Sequence, residues 1–345
     1  MRSTSLPDSD QVPISPEIIP AATTGKLIIF VGNGLSRLYE IPSWEDLSNG
    51  MLRALANAGK ITHVEHELLV RHPEKKFKIS IADQYFKENL KLAEKNPTLS
   101  YSALLISQKQ LELQKQYRFY QSLALWGCKF VTTNYDCFFA DALRGQYAET
   151  VAATAVQSEG VSNVPASAPT DSYPVICGLD KLEAIHVSGK SFLLHLHGSI
   201  EDEQSIVAST AGYLDLYGNP ANQRKLEDLF KDHTVLFLGY GLEELEILDL
   251  ILRSGKAKKG NEKKFHLLLP LLSYEEHILP HLEEYYTKHL GVHLIPFCRD
   301  KDGYHSILNV LNRWAEVIGP KVQKPATSSV GSLLDRLNQE VRETT

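Results

Sequence analysis

The run Leu27-Ile28-Ile29-Phe30-Val31 carries no polar residue on either alternating side, and it stops abruptly on Gly32-Asn33-Gly34-Leu35-Ser36. A strand that is apolar on both faces has to be covered on both, which restricts it to the interior of a sheet flanked by helices. The glycines that end it allow left-handed dihedrals and close approach of the backbone to a ligand.

The same pattern returns along the chain. Cys128-Lys129-Phe130-Val131-Thr132 ends in Thr133-Asn134-Tyr135-Asp136, Phe192-Leu193-Leu194-His195-Leu196 runs into His197-Gly198, and Thr234-Val235-Leu236-Phe237-Leu238 ends at Gly239-Tyr240-Gly241. Two further apolar runs, 265–269 and 292–296, alternate with helical sequence at 274–285 and 303–318, and segments 211–217, 221–231 and 243–253 also read as helices. This alternation predicts an α/β fold, a Rossmann-like parallel sheet with helices on both faces. A plain βαβ unit would deliver its second strand within ~30 residues. Here helical sequence continues to about Trp126, so 60–126 reads as a helical insertion after the first strand. Ser43 is placed to cap a helix starting near Trp44, with Asp46 favouring its N-terminal charge. Trp44, Leu47, Met51, Leu52 and Leu55 share one stripe of that helix, which makes Trp44 a core anchor.

Composition sets the outer boundaries. Residues 1–24 are rich in Pro, Ser and Asp and read as a flexible N-terminal arm. The main domain spans 25–320, and 321–345 form a tail whose Val330, Leu333, Leu334, Leu337 and Val341 make an amphipathic helix that docks on its own domain or on a neighbouring subunit. Residues 145–185 give no steady period. Arg253, Lys256, Lys258, Lys259, Lys263 and Lys264 form a basic stretch, read as a solvated loop or, more sharply, as a phosphate-facing patch. With 36 Lys+Arg against 42 Asp+Glu the net charge is −6, which gives no reason to expect direct nucleic-acid binding. No apolar run approaches the ~18 residues needed to span a bilayer, and the N-terminus lacks a signal-type apolar segment. A cytoplasmic location with no membrane partner is expected. The cysteines at 128, 137, 177 and 298 show no C-x-x-C pair, which argues against structural zinc; Cys128 and Cys137 read as small core residues.

Carboxyl ends of strands converge on one crevice in an open parallel sheet. Four such ends here carry glycines and polar side chains, as a ligand site requires. A dinucleotide fingerprint would want a third glycine at position 37, where Arg37 stands, and an acidic residue after a second strand, which has no counterpart. A dehydrogenase is therefore disfavoured. His195 and His197 form an H-x-H pair, but no third ligand is nearby, so no metal is expected.

In this order the motifs resemble those of the sirtuin superfamily, which has a Gly-Ala-Gly-Ile-Ser loop, a Thr-Gln-Asn-x-Asp segment, a His-Gly pair and a later glycine loop. The counterparts are Gly32-Asn33-Gly34-Leu35-Ser36 followed by Ile41-Pro42, Thr132-Thr133-Asn134-Tyr135-Asp136, His197-Gly198 and Gly239-Tyr240-Gly241. The resemblance spans roughly 26 to 318. Three departures are visible: the family's Asp-Phe-Arg is Ser43-Trp44-Glu45, its glutamine is Thr133, and the four zinc cysteines of the protein deacylases are missing. The chain is most similar to the divergent bacterial sirtuin-like branch of antiphage defence, including the subunits that partner HerA-type ATPases.

The resemblance implies a domain that binds NAD as substrate and hydrolyses it, depleting NAD in antiphage defence. Asn134 would hold the ribose hydroxyls and the attacking water, and His197 would act as base. Asp136 would hold the nicotinamide carboxamide, with Thr133 beside it. Gly32, Asn33, Gly34 and Ser36 would cradle the pyrophosphate, and Gly239 and Tyr240 would line the adenosine half. Each has a plainer reading: Asn134 as a turn residue, His197 as a satisfied loop histidine, Asp136 as a helix cap, and His195 as a core histidine. An NAD-dependent protein deacylase and a non-catalytic nucleotide-binding scaffold subunit are the alternatives. Gating by oligomerisation or by a partner ATPase, through residues 60–126, is expected of a toxic NADase.

Overall fold

Leu27–Val31 (β1) is buried along its whole length because it lies in the middle of a sheet covered on both faces. The computed structural model describes residues 6–116, 119–124, 126–145, 173–183, 191–242, 244–256 and 264–322. Within them Lys129–Thr132 (β2), Val175–Cys177 (β3), Phe192–His195 (β4), Thr234–Leu238 (β5), Phe265–Leu271 (β6) and Val292–Cys298 (β7) join β1 in the order β3-β4-β2-β1-β5-β6-β7. Every pairing is parallel. This is the Rossmann-like α/β sheet expected from the sequence. No helix among the described residues is long and apolar enough to cross a membrane.

The alternation of β1 divides the core. Leu27, Ile29 and Val31 pack on the face that carries helices Trp44–Asn57 and Ser306–Val322, whereas Ile28 and Phe30 join the cluster under helices Pro220–Lys231 and Leu245–Lys256. The helical insertion follows β1 as helices His63–Val70, Lys75–Leu90, Tyr101–Leu105, Gln108–Gln116 and Phe119–Ala124. Helix Trp44–Asn57 opens on a reciprocal cap: Asp46 N–H donates to Ser43 Oγ at 3.2 Å, and Ser43 N–H donates to an Asp46 oxygen at 3.1 Å.

Two expectations need correction. Residues 6–24 are not a free arm. The Cys298 N–H at the end of β7 donates to the Pro7 carbonyl at 2.9 Å, Val12 and Ile18 are buried, and Trp314 Nε1–H donates to the Val12 carbonyl at 3.0 Å. The apolar residues spaced through this Pro-rich segment seat it on helix Ser306–Val322. The second correction is the edge strand β3, which lies inside the stretch that gave no period. The amphipathic tail helix at 330–341, Lys258, Lys259 and Lys263, and most of 145–185 lie outside the described residues.

Candidate functional site

Register places the polar motifs at one level. Val31 pairs with Thr132 and with Leu238, and Thr132 pairs with His195. The residues just beyond these partners therefore begin at a common height, at the carboxyl end of the four central strands, where open parallel sheets hold their ligands.

The β1 and β5 loops interlock through their glycines. Gly32 N–H donates to the Leu238 carbonyl at 2.9 Å, and Gly34 N–H donates to the Gly239 carbonyl at 2.8 Å. A Cβ at Gly34 would lie 2.6 Å from the Gly239 oxygen, and one at Gly239, whose φ is +59°, would lie 2.6 Å from the Leu35 nitrogen. The glycines expected to make room for a phosphate thus first make room for one another. Gly34, Gly239, Tyr240 and Gly241 nevertheless line an open cavity of about 730 Å³, with Trp44, Tyr213, Lys76 and Glu244 in its wall. That volume falls in the range of small-molecule sites.

Beside it, the backbone N–H and the side-chain amide of Asn134 make three hydrogen bonds. Its backbone N–H donates to Thr132 Oγ1 at 3.0 Å, and its side-chain Nδ2 donates to the Gly32 carbonyl at 3.1 Å and to Ser36 Oγ at 2.8 Å. Its Oδ1 is buried and has no partner. Asn134, Asn33, Thr133 and Asp136 line a pocket of about 30 Å³ together with Trp44, room for roughly one water molecule. Trp44 borders both this pocket and the large cavity. It is half-buried: it packs against the core, as its helical stripe suggested, and its remaining surface is shared by the two spaces.

Ser36 does not face the cavity. Fully buried, it donates its proton to Asp136 Oδ2 at 2.6 Å and lies 3.2 Å from the Tyr120 hydroxyl. The expected phosphate contact is replaced by an internal one, because the helix Asn33–Ser36 turns its last residue inward. Asp136 Oδ1 accepts from the Phe138 N–H at 3.2 Å, where a helix over 138–145 begins. Both oxygens of Asp136 therefore serve the chain, and burial pushes its carboxyl above the usual range.

His195 and His197 are both fully buried. His195 Nδ1 is 3.0 Å from the Asn134 carbonyl, so it braces the loop that carries Asn134. His197 lies between two tyrosines of helix Thr210–Gly218: Nε2 is 2.7 Å from Tyr217 Oη, and Nδ1 is 3.3 Å from Tyr213 Oη. Burial pushes its pKa down to about 3, so the ring is uncharged at neutral pH. Asn134 and His197 sit on cross-linked loops, since Ile200 N–H donates to the Tyr135 carbonyl and Val207 N–H to that of His197, both at 2.9 Å. Among the described residues, neither of these two cavities is lined by both. Asn134 faces the small pocket, and Tyr213 stands between His197 and the large one.

Sequence reasoning missed Tyr213, Tyr217 and Glu244. Glu244 follows the Gly239-Tyr240-Gly241 loop and lines the large cavity, with an oxygen that has no partner. Burial raises its pKa to about 6 against the nearby Tyr240 hydroxyl. No apolar period or short motif marks any of these residues. Among the described residues, no three His, Cys, Asp or Glu stand close enough together to hold a metal ion.

Residues 129–295 match the SIR2-like domain family. The chain is 24% identical over 265 residues to Defense-associated sirtuin 2 of Bacillus subtilis, an alignment that takes in 75% of this chain and 22% of that protein. The chain thus spans less than a quarter of the length of that relative.

Proposed function

We propose, from the match of residues 129–295 to the SIR2-like domain family and the likeness to a defence-associated sirtuin, that the chain is an NAD+ glycohydrolase, which cleaves the nicotinamide–ribose bond to give nicotinamide and ADP-ribose. SIR2-like domains bind NAD. Nicotinamide departs neutral from a cationic pyridinium, so the protein has mainly to orient the sugar and position a water. In this reading the glycine loops and Tyr240 form the floor under the dinucleotide, Asn134 Oδ1 accepts a hydrogen bond from the attacking water, and His197 receives the proton that hydrolysis releases.

The observation that carries the reading is Asn134. Both side-chain donors are used to fix the amide, its acceptor is buried without a partner, and the residue lines a pocket the size of a water. A buried acceptor in that state costs free energy unless something that visits the site satisfies it. The name of the Bacillus relative supports placing the activity in defence. There NAD depletion would be gated by self-association or by a HerA-type ATPase partner.

The test is to incubate the protein with NAD+, alone and with a neighbouring ATPase, and to follow nicotinamide and ADP-ribose. Release by the wild type and its loss in Asn134→Ala and His197→Ala is the expected result. Equal release by all three would overturn the assignment. One observation favours a second reading, a subunit that binds the nucleotide without turning it over: His197 has no opening to the cavity. Saturable NAD+ binding with no nicotinamide under any condition would support it.

A further inference from the structure

His197 is fully enclosed, yet one of its two ring nitrogens is hydrogen-bonded to a tyrosine that lines the large cavity. A neutral imidazole has one donor and one acceptor nitrogen, so of its two tyrosine partners one donates to it and the other accepts from it. Tyr217 Oη lies at Nε2 and Tyr213 Oη at Nδ1. Of the two, only Tyr213 lines the 730 Å³ cavity. Two neighbours contact its ring: the His197 ring lies 4.8 Å away between centroids, and Lys76 Nζ sits 4.1 Å from the ring centroid and pairs with Glu246 at 3.8 Å.

We propose that Tyr213 is a catalytic residue, the relay through which a proton passes from the bound sugar to His197. The inference rests on the hydrolase reading and adds a residue to it. As the carbon–nitrogen bond breaks, its electron pair leaves with nicotinamide, and a water oxygen bonds to the anomeric carbon. The water gives one proton to a ribose hydroxyl, that hydroxyl gives its own to Tyr213 Oη, and Tyr213 gives its proton to His197 Nδ1. His197 Nε2–H donates to Tyr217 throughout. One proton is then lost to solvent when product leaves, which balances hydrolysis to nicotinamide, ADP-ribose and H⁺. His197 is uncharged when the step begins, so Nδ1 has a lone pair to accept the proton; burial then disfavours the imidazolium, and the proton passes on as product leaves.

A relay and a packing role predict opposite orders for two substitutions. Tyr213→Phe keeps the ring, its stacking and its cation contact, but it breaks the chain with a carbon that water cannot replace. Tyr213→Ala loses the packing but admits water between His197 and the cavity, and a water can restore the link. The experiment measures kcat and KM for nicotinamide release by wild type, Tyr213→Phe, Tyr213→Ala and His197→Ala. NAD+ binding is followed separately, by the shift in melting temperature at saturating NAD+.

The relay predicts that Tyr213→Phe loses about 10²-fold or more in kcat, with KM and the NAD+-induced shift nearly unchanged, and that Tyr213→Ala retains more kcat than Tyr213→Phe. Undiminished Tyr213→Phe beside an inactive His197→Ala would remove the relay and leave the hydrolase reading standing. Tyr213→Ala less active than Tyr213→Phe would also remove it, in favour of packing. A wild type that binds NAD+ and never releases nicotinamide would overturn both.

Discussion

Substituting Asn134 by alanine separates what the amide does for the fold from what it does for the reaction. The change deletes two hydrogen bonds, to the Gly32 carbonyl and to Ser36 Oγ, each worth about 1 kcal/mol net. It also deletes the buried Oδ1, which has no partner and whose desolvation costs about 1–3 kcal/mol. The two effects oppose each other, so folding stability should change by no more than roughly 2 kcal/mol, a few degrees in Tm. Catalysis has no such compensation. Losing the group that positions the water should lower kcat by about 10²-fold. Thermal unfolding followed by fluorescence, beside a nicotinamide-release assay on the same preparation, reads both quantities. If Asn134→Ala melts more than about 10 °C below wild type, the amide is a structural brace and the reasoning from its free acceptor fails. If it melts normally and turns over within about threefold of wild type, the acceptor has no part in the chemistry.

Other outcomes follow from the same geometry. Gly239→Ala puts a side chain at φ +59° and 2.6 Å from the Leu35 nitrogen; it should lose at least ~2 kcal/mol in urea unfolding, and an unchanged midpoint would refute the interlock. His197, held at about 3 against an ordinary 6.5, stays neutral in the fold while the unfolded chain takes up a proton. Its contribution is therefore complete above pH 6.5 and falls away as the pH drops towards 3, by up to about 1.4 kcal/mol per pH unit. His197→Asn should flatten the stability slope between pH 6 and 4, and the comparison isolates His197 from Asp136, whose raised carboxyl works in the opposite sense. An unchanged slope would show that the imidazole is reached by water. Trp314→Phe removes the donor to the Val12 carbonyl; thermolysin, which cuts before aliphatic residues such as Ile18 and Ile19, should then cut within residues 6–24 faster than in wild type, and an equal rate would mean that Val12 and Ile18 hold the segment alone.

The sheet was legible because its strands are short, apolar on both faces and closed by glycine or polar turns. Leu27–Val31 and Thr234–Leu238 could be placed to the residue. The strand Val175–Cys177 could not, because three residues at a sheet edge carry no period. The N-terminal segment misled for a related reason: its Pro, Ser and Asp content outweighed a few apolar residues whose partners, Trp314 and Cys298, lie some 300 residues away. For the candidate site, the motif order pointed to Asn134 and His197, but pattern alone could not tell that Ser36 turns inward to Asp136 or that Tyr213 screens the histidine. Those facts depend on how helix ends aim their side chains once packed. The glycines illustrate the same limit: their freedom was visible, but what approaches them was not.

The closure of Gly32 and Gly34 on Gly239 has a bearing on how the molecule is made. β5 lies directly beside β1 in space but some two hundred residues later in the chain. A growing polypeptide that has not yet reached Gly239 already contains Asn134 and both histidines. It has no opposing loop against which the first turn can shut, and one flank of its central strand is still bare. The groove is therefore completed late in synthesis, and a ribosome stalled before that point would hold a chain with Asn134 and both histidines but no floor beneath them.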